Sequence, residues 1–343
     1  KIGQMLMVGF RGTQVEDGHF ILRDIRQRHL GGVILFDYDV LSGRRGRNIA
    51  SPSQLEALVA SLQAAAETPL LVAVDQEGGE VARLSEGAGF PSTLSHGQLG
   101  RLDNLDVTGS RSSSLAETLA GAGIGLNLAP VVDLCANPDN PVIAALDRCF
   151  SDDPRKVTAH ARRFIRAHHA QGVLCTLKHF PGHGSSVGDS HRGFTDVTAT
   201  WTRAELEPYR RLIRSGLVDA VMTAHVYNAR LDRRYPATLS RATLTGLLRK
   251  ELGFDGVILS DDLQMGAITA HYGLETAIEK ALAAGVDILV FGNNLAYDER
   301  IVTRARAIIS ALVRSGRIDA SRIDDSWRRI RRLKDRLRRR AKR

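Results

Sequence analysis

The stretch Lys178 to His191 reads KHFPGHGSSVGDSH, placing a lysine, three histidines and an aspartate directly after the apolar run GVLCTL. His179 and His183 stand four apart, the spacing of two metal ligands on one face of a helix. Pro181 and Gly182 lie between them and argue against that helix. No HExxH, CxxC or carboxylate-rich calcium loop occurs elsewhere, so neither a metal nor another cofactor is expected. A serine nucleophile lacks its GxSxG turn, and Cys175 sits in mid-run, where a small core residue belongs. What remains is a pair of groups flanking a scissile bond, the requirement of glycoside cleavage. One protonates the leaving oxygen; the other attacks or stabilises the sugar carbon. Asp261, at the end of an apolar run in ILSDD, suits the nucleophile. A histidine, with an ordinary pKa of about 6.5, suits the acid. Asp189, two residues before His191, is placed to hold that imidazole in one tautomer and favour its cation.

Such groups need a rigid frame. Short apolar runs bounded by turn residues, each followed by a longer helical pattern, predict parallel strands with crossover helices. Eight runs occur, at 4–10, 31–36, 70–75, 126–133, 173–180, 220–225, 256–262 and 287–292. Helical patterns between them include Ser53 to Glu67, Pro154 to Gln171, Arg203 to Ser215, Ala242 to Leu252 and Leu274 to Ala284, several opened by a residue able to cap. The alternation predicts an α/β fold, a (β/α)8 TIM-type barrel spanning 1–343 as a single domain, with an irregular first unit. An open doubly wound sheet lacks its glycine fingerprint, because GFRGT at 9–13 does not match GxGxxG. Catalytic groups of a barrel gather where its strands end. Here those ends carry Asp75, Asp133, Lys178, His179, His225, Asp261 and Asp262, then Gly292 and Asn293.

The formal charge of +9 is not spread over the chain. Arg328 to Arg343 holds eleven Lys/Arg and one Asp, a net +10, which leaves the other 327 residues at −1. A nearly neutral body without a basic, aromatic face is not expected to bind nucleic acid. Trp327, Ile330, Leu333 and Leu337 recur at helical spacing, predicting a basic last helix at about 322–343 that lies on the body with its arginines in water; docking to an anionic polymer is the alternative. Cys135, Cys149 and Cys175 are too few and scattered for a disulfide framework. No run approaches the roughly 20 apolar residues of a membrane span.

Four ordered motifs, DQEGGEVARL from Asp75, LDRCFS from Leu146, KHFPGHGSSVGDSH from Lys178 and ILSDDLQMGA from Ile258, together resemble glycoside hydrolase family 3, specifically its single-domain bacterial β-N-acetylhexosaminidase branch. The resemblance runs from about Gly31 to Gly292. It implies an exo-acting, retaining hydrolase that removes terminal β-linked N-acetylglucosamine from peptidoglycan fragments through a covalent glycosyl-aspartate. Asp261 matches the family nucleophile. Asp189 and His191 match an acid/base dyad on a loop whose glycines would let it swing over the sugar. Asp75, Arg83, Arg148, Lys178 and His179 match positions that bind the sugar's hydroxyls and acetamido group. Taken without the motifs, Asp75 and Arg83 read equally as a surface ion pair and Arg148 as a helix cap. His183 reads as loop structure, Asp262 as a structural neighbour, and His225 as either a pocket or a core residue. The segment DVLSGRRGRN at 39–48 reads as a shaper of the leaving-group side.

Three other readings stand beside this one: phosphorolysis, since a histidine acid/base does not repel phosphate; β-glucosidase activity; and a non-catalytic saccharide-binding barrel. The expected partners are saccharides containing N-acetylglucosamine. A monomer is the default expectation, and a bacterial cytoplasmic, periplasmic or exported location are all compatible with the chain.

Overall fold

The computed structural model describes residues 1–190 and 193–340. Eight parallel strands close into a barrel: β1 Leu6–Gly9, β2 Gly32–Leu35, β3 Leu71–Val74, β4 Leu126–Asn127, β5 Leu174–Phe180, β6 Ala220–Thr223, β7 Val257–Asp262 and β8 Ile288–Phe291. Spatial order follows chain order, and β8 pairs back onto β1 through Leu6↔Leu289. Every residue of β1 to β6 and of β8 is buried, because one face points into the barrel and the other lies under helices. In β7 burial gives out at the last two residues, Asp261 and Asp262, where the wall reaches the cavity.

All eight expected strands form, and the first unit is complete, with the helix Phe20–Arg28 between β1 and β2. The fourth strand is shorter than its apolar run. The ladder pairs only Leu126 and Asn127 with β5, since Pro130 has no N–H to give; a lone bridge follows from Val131 to Lys178. Asp133 therefore sits in the loop beyond, not on the strand.

Capping explains where the outer helices start. Ser51 accepts the Gln54 N–H at 3.3 Å ahead of Pro52–Ala64, and Asp153 accepts the Arg155 N–H at 2.8 Å ahead of Pro154–Ala170. Between β3 and β4 stand two helices that the sequence patterns above do not include, His96–Leu102 with a capping box from Ser95 and Gln98, and Leu105–Gly121.

The last helix, Ala320–Arg340, crosses the amino-terminal end of the barrel. Its arginines do more there than sit in water. Arg322 and Arg329 reach Asp287 at 3.4 Å each, Arg332 reaches Asp255 at 2.8 Å and Arg336 reaches Asp219 at 2.6 Å. Those aspartates lie just ahead of β8, β7 and β6, so four of the basic residues are committed to closing the barrel's floor. Lys334 is buried and donates to Gln4 Oε1 at 2.6 Å and the Gly31 carbonyl at 2.9 Å, tying down the starts of β1 and β2. Burial lowers its pKa from the usual lysine range to about 7.

Cys135 and Cys149 form a disulfide, with Cα atoms 5.5 Å apart, inside the loop that follows β4. The scatter of the three cysteines excluded a framework, not this single local bridge between two of them.

Candidate active site

At the carboxyl ends of the strands lies a cavity of about 370 Å³. Asp75, Arg83, Arg148, Lys178, His179 and Asp261, drawn from four separate stretches of the sequence, all line it. Barrel residues Ile34, Leu128, Met222 and Val290 line it too, so it is a dead end rather than a channel.

One wall is a continuous chain of ionic contacts. The Lys178 ammonium, buried at the end of β5, lies 2.7 Å from Asp75 Oδ1 and 2.7 Å from Glu77 Oε1. Glu77 in turn takes two hydrogen bonds from the Arg148 guanidinium, from Nε and Nη2, each at 2.8 Å. This is the bidentate fork in which arginine surpasses lysine. Burial alone would push the Glu77 carboxyl upward, but Arg148 and Lys178 overcome it and hold the group well below the usual range. Arg148 Nη2 continues to His179 Nε2 at 3.4 Å, and His179 Nδ1 lies 2.7 Å from Asp133 Oδ2. A guanidinium only donates and a carboxylate only accepts. The contacts therefore put the His179 proton on Nδ1 and leave the Nε2 lone pair toward Arg148. Asp133 is fully buried and also accepts the backbone N–H groups of His179 and His183, at 3.1 Å and 2.8 Å. Burial pushes it up; His179, His183 and these bonds prevail and hold it low.

Arg83 lies 4.0 Å from Asp75 and 3.9 Å from Asp37, on the cavity rather than in an ion pair out on the surface. Arg148 caps no helix; beyond Glu77 it donates to the Val142 carbonyl at 2.8 Å.

Asp261 faces this wall from β7. Its backbone N–H donates to Thr223 Oγ1 at 3.3 Å and its Oδ1 accepts the Asp262 N–H at 2.8 Å. Asp262 has a different task. Its Oδ1 accepts the N–H groups of Gly292 and Gln264, both at 3.0 Å, which stitches the end of β7 to the end of β8. A Cβ at Gly292 would come within 2.5 Å of Asp262 Oδ2, so any side chain there would displace the Asp262 carboxylate. His225 is buried beneath, with Nδ1 2.7 Å from Thr238 Oγ1 and Nε2 2.9 Å from the Asp262 carbonyl; it is not among the residues lining the cavity.

The loop after β5 is packed from below. His183 is buried between two hydroxyls, Ser186 Oγ at 2.8 Å and Ser190 Oγ at 3.1 Å, and burial lowers its pKa to about 4. Glu205 accepts from Ser185 Oγ at 2.6 Å and the Gly184 N–H at 3.1 Å. Asn140 donates to the carbonyls of His183 and Gly184 at 2.8 Å and 3.1 Å. Asp189 is half-buried near the loop's end, its carbonyl accepting the Gly193 N–H at 3.2 Å. His191 lies outside the described residues. Among the described residues no cluster of His, Cys, Asp or Glu is suited to a metal ion.

The family profile described as glycosyl hydrolase family 3 N terminal domain matches residues 1–333. The chain belongs to glycosyl hydrolase family 3. As a family 3 barrel it is a glycoside hydrolase, and its relatives bear on which kind. A β-hexosaminidase of Tolumonas auensis is 40% identical over 275 residues, covering 79% of this chain and 78% of that one. A second, from Idiomarina loihiensis, is 37% identical over 300 residues, 85% of this chain and 84% of its own. Among solved structures, a family 3 β-N-acetylglucosaminidase from Paenibacillus superposes with a TM-score of 0.89 at 36% identity. It matches 98% of this chain, which spans only 62% of that longer protein. The β-N-acetylhexosaminidase of Beutenbergia cavernae gives a TM-score of 0.86 at 31% identity, with 97% of each chain covered. No helix among the described residues is long and apolar enough to cross a membrane.

Two members of the ionic wall escape a reading of the family 3 motifs by residue type. Glu77 lies inside DQEGGEVARL, yet nothing local marks it as the carboxylate that Arg148 will bind 71 positions later. Asp133 is visible as a strand-end acid, but its partner His179 is 46 positions away.

Proposed function

We propose that the chain is an exo-acting, retaining β-N-acetylglucosaminidase that cuts terminal β-linked N-acetylglucosamine from peptidoglycan fragments. The observation that carries this reading is a dead-end cavity in which Asp261 faces a wall of paired cations and anions. Lys178 and Arg148 donate to hydroxyls and to an acetamido carbonyl, while Asp75 accepts from hydroxyls. Each is already held by the next, so a sugar meets groups that need little reordering. A closed end supports exo cleavage, with one terminal residue seated in it.

In the first step Asp261 attacks the anomeric carbon as the bond to the leaving oxygen breaks, and the His191 imidazolium gives that oxygen its proton. In the second, His191 takes a proton from water, whose oxygen attacks from the face the leaving group vacated, opposite the ester bond, and displaces the Asp261 carboxylate. Two inversions retain the β configuration. Asp189 holds the imidazole between the steps. The similarity to β-hexosaminidases over most of the chain supports the choice of an N-acetylated sugar.

Aryl glycosides test the reading. Wild-type protein releases the aryl alcohol from the β-N-acetylglucosaminide at least a hundredfold faster than from the β-glucoside, and Asp261→Asn lowers that rate by about 10⁴ with the fold intact. Equal turnover of both glycosides, or a fully active Asp261→Asn, overturns it.

A further inference from the structure

The segment between β2 and the helix Pro52–Ala64 forms a hairpin, Tyr38–Asp39 against Arg44–Arg45, that lends nothing to the barrel wall. It is nonetheless tightly held. The buried Asp39 carboxylate takes two bonds from Arg11, at 2.8 Å and 3.1 Å, one from the Ser42 N–H at 2.8 Å and one from Arg47. Arg47 has no exposed side-chain surface and donates onward to the Asn293 carbonyl at 2.8 Å. Asn294, just past β8, clasps the hairpin in both directions, accepting the Val40 N–H and donating to the Tyr38 carbonyl, each at 3.0 Å.

What this anchoring presents is apolar and faces solvent. Tyr38 is 41% exposed, Val40 47% and Leu146 37%. All three line the cavity that holds Asp261, at its mouth, together with Leu295. An unsatisfied apolar rim fixed by a buried ion network calls for an occupant, and its continuity with the cavity says which. When the terminal sugar fills the dead end, the scissile bond lies at the mouth and the next group outward is the leaving group.

Resting on the proposed activity, we infer that Tyr38, Val40 and Leu146 form a leaving-group shelf that takes the C–H face of a second hexopyranose. An aromatic ring beside two branched aliphatics offers such a face a flat apolar partner, whereas a linear or tiny leaving group gains little from it.

Two substrates with the same terminal sugar and different leaving groups test the shelf: the β-linked N-acetylglucosamine disaccharide and β-N-acetylglucosaminyl fluoride. Tyr38→Ala lowers kcat/KM for the disaccharide about tenfold more than for the fluoride, and Tyr38→Phe, which keeps the ring, restores the wild-type ratio. Equal losses on both substrates, or none on either, overturn the shelf. A wild type silent on both overturns the activity beneath it instead. If Tyr38→Ala fails to fold, acceptor competition in the wild type decides. With the fluoride as donor, transfer to added N-acetylglucosamine saturates with acceptor concentration while transfer to a linear hexitol does not; equal behaviour of the two acceptors contradicts the shelf.

Discussion

Asp133 sets which nitrogen of His179 carries its proton, and Glu77 keeps two buried cations side by side. Neither lines the cavity, yet both decide what the cavity offers a sugar. Glu77 is the more consequential. Without its charge, Lys178 keeps only Asp75 and Arg148 keeps a carbonyl and an imidazole, in surroundings where an uncompensated cation is expensive. Glu77→Gln is expected to cost about 3 kcal/mol of stability in urea unfolding and about a hundredfold in kcat/KM on the aryl N-acetylglucosaminide. A change of less than twofold in rate would mean that the wall does not organise the site. At this scale the sequence showed the groups that face the cavity, because Asp75, Lys178, His179 and Asp261 stand at strand ends. It did not show what the groups behind them hold, since the partners of Glu77 and Asp133 lie 46 to 101 positions away and are joined only by barrel closure.

Elements differ in how they earn their positions. Strands were legible almost throughout, since a strand covered on both faces has to be a run of apolar residues. The exception was β4, whose apolar run outlasts its ladder. The loop after β5 was legible as glycine-rich and polar, but its packing was not. Glu205, beneath that loop, receives the root of it through Ser185 and Gly184. Burial raises the Glu205 pKa to about 7, the nearby Asp133 charge adds to this, and the bonds from Ser185 and Gly184 oppose it. Between the ordinary value of 4.5 and about 7 the folded protein holds a proton that the unfolded chain has lost. Stability therefore falls as pH rises through this window, by about 1.4 kcal/mol per pH unit where the difference is complete. Glu205→Gln escapes that loss. Its stability relative to wild type should improve by about 2–3 kcal/mol from pH 5 to pH 8 in urea unfolding, and parallel curves would contradict the assignment.

Across the whole molecule, charge is divided between two ends. The strand amino termini are closed by a basic helix paired with Asp219, Asp255 and Asp287, and the carboxyl termini open on the cavity. The concentration of charge in the last helix was plain in the composition. Its destination was not, because aspartates spaced along the chain become one floor only when the strands they precede lie side by side. The same closure brings Asp261 of β7 onto a cavity with side chains just past β3 and at the end of β5, and on that juxtaposition the proposed reaction depends. Its central claim is a covalent bond between Asp261 and the sugar. The most direct measurement is mass spectrometry of protein quenched during turnover of a 5-fluorinated N-acetylglucosaminyl fluoride, which slows release of the intermediate. One N-acetylhexosamine-derived adduct is expected, on the peptide containing Asp261 and at that residue. An adduct on another carboxylate, or none together with a product of inverted anomeric configuration, would contradict the account.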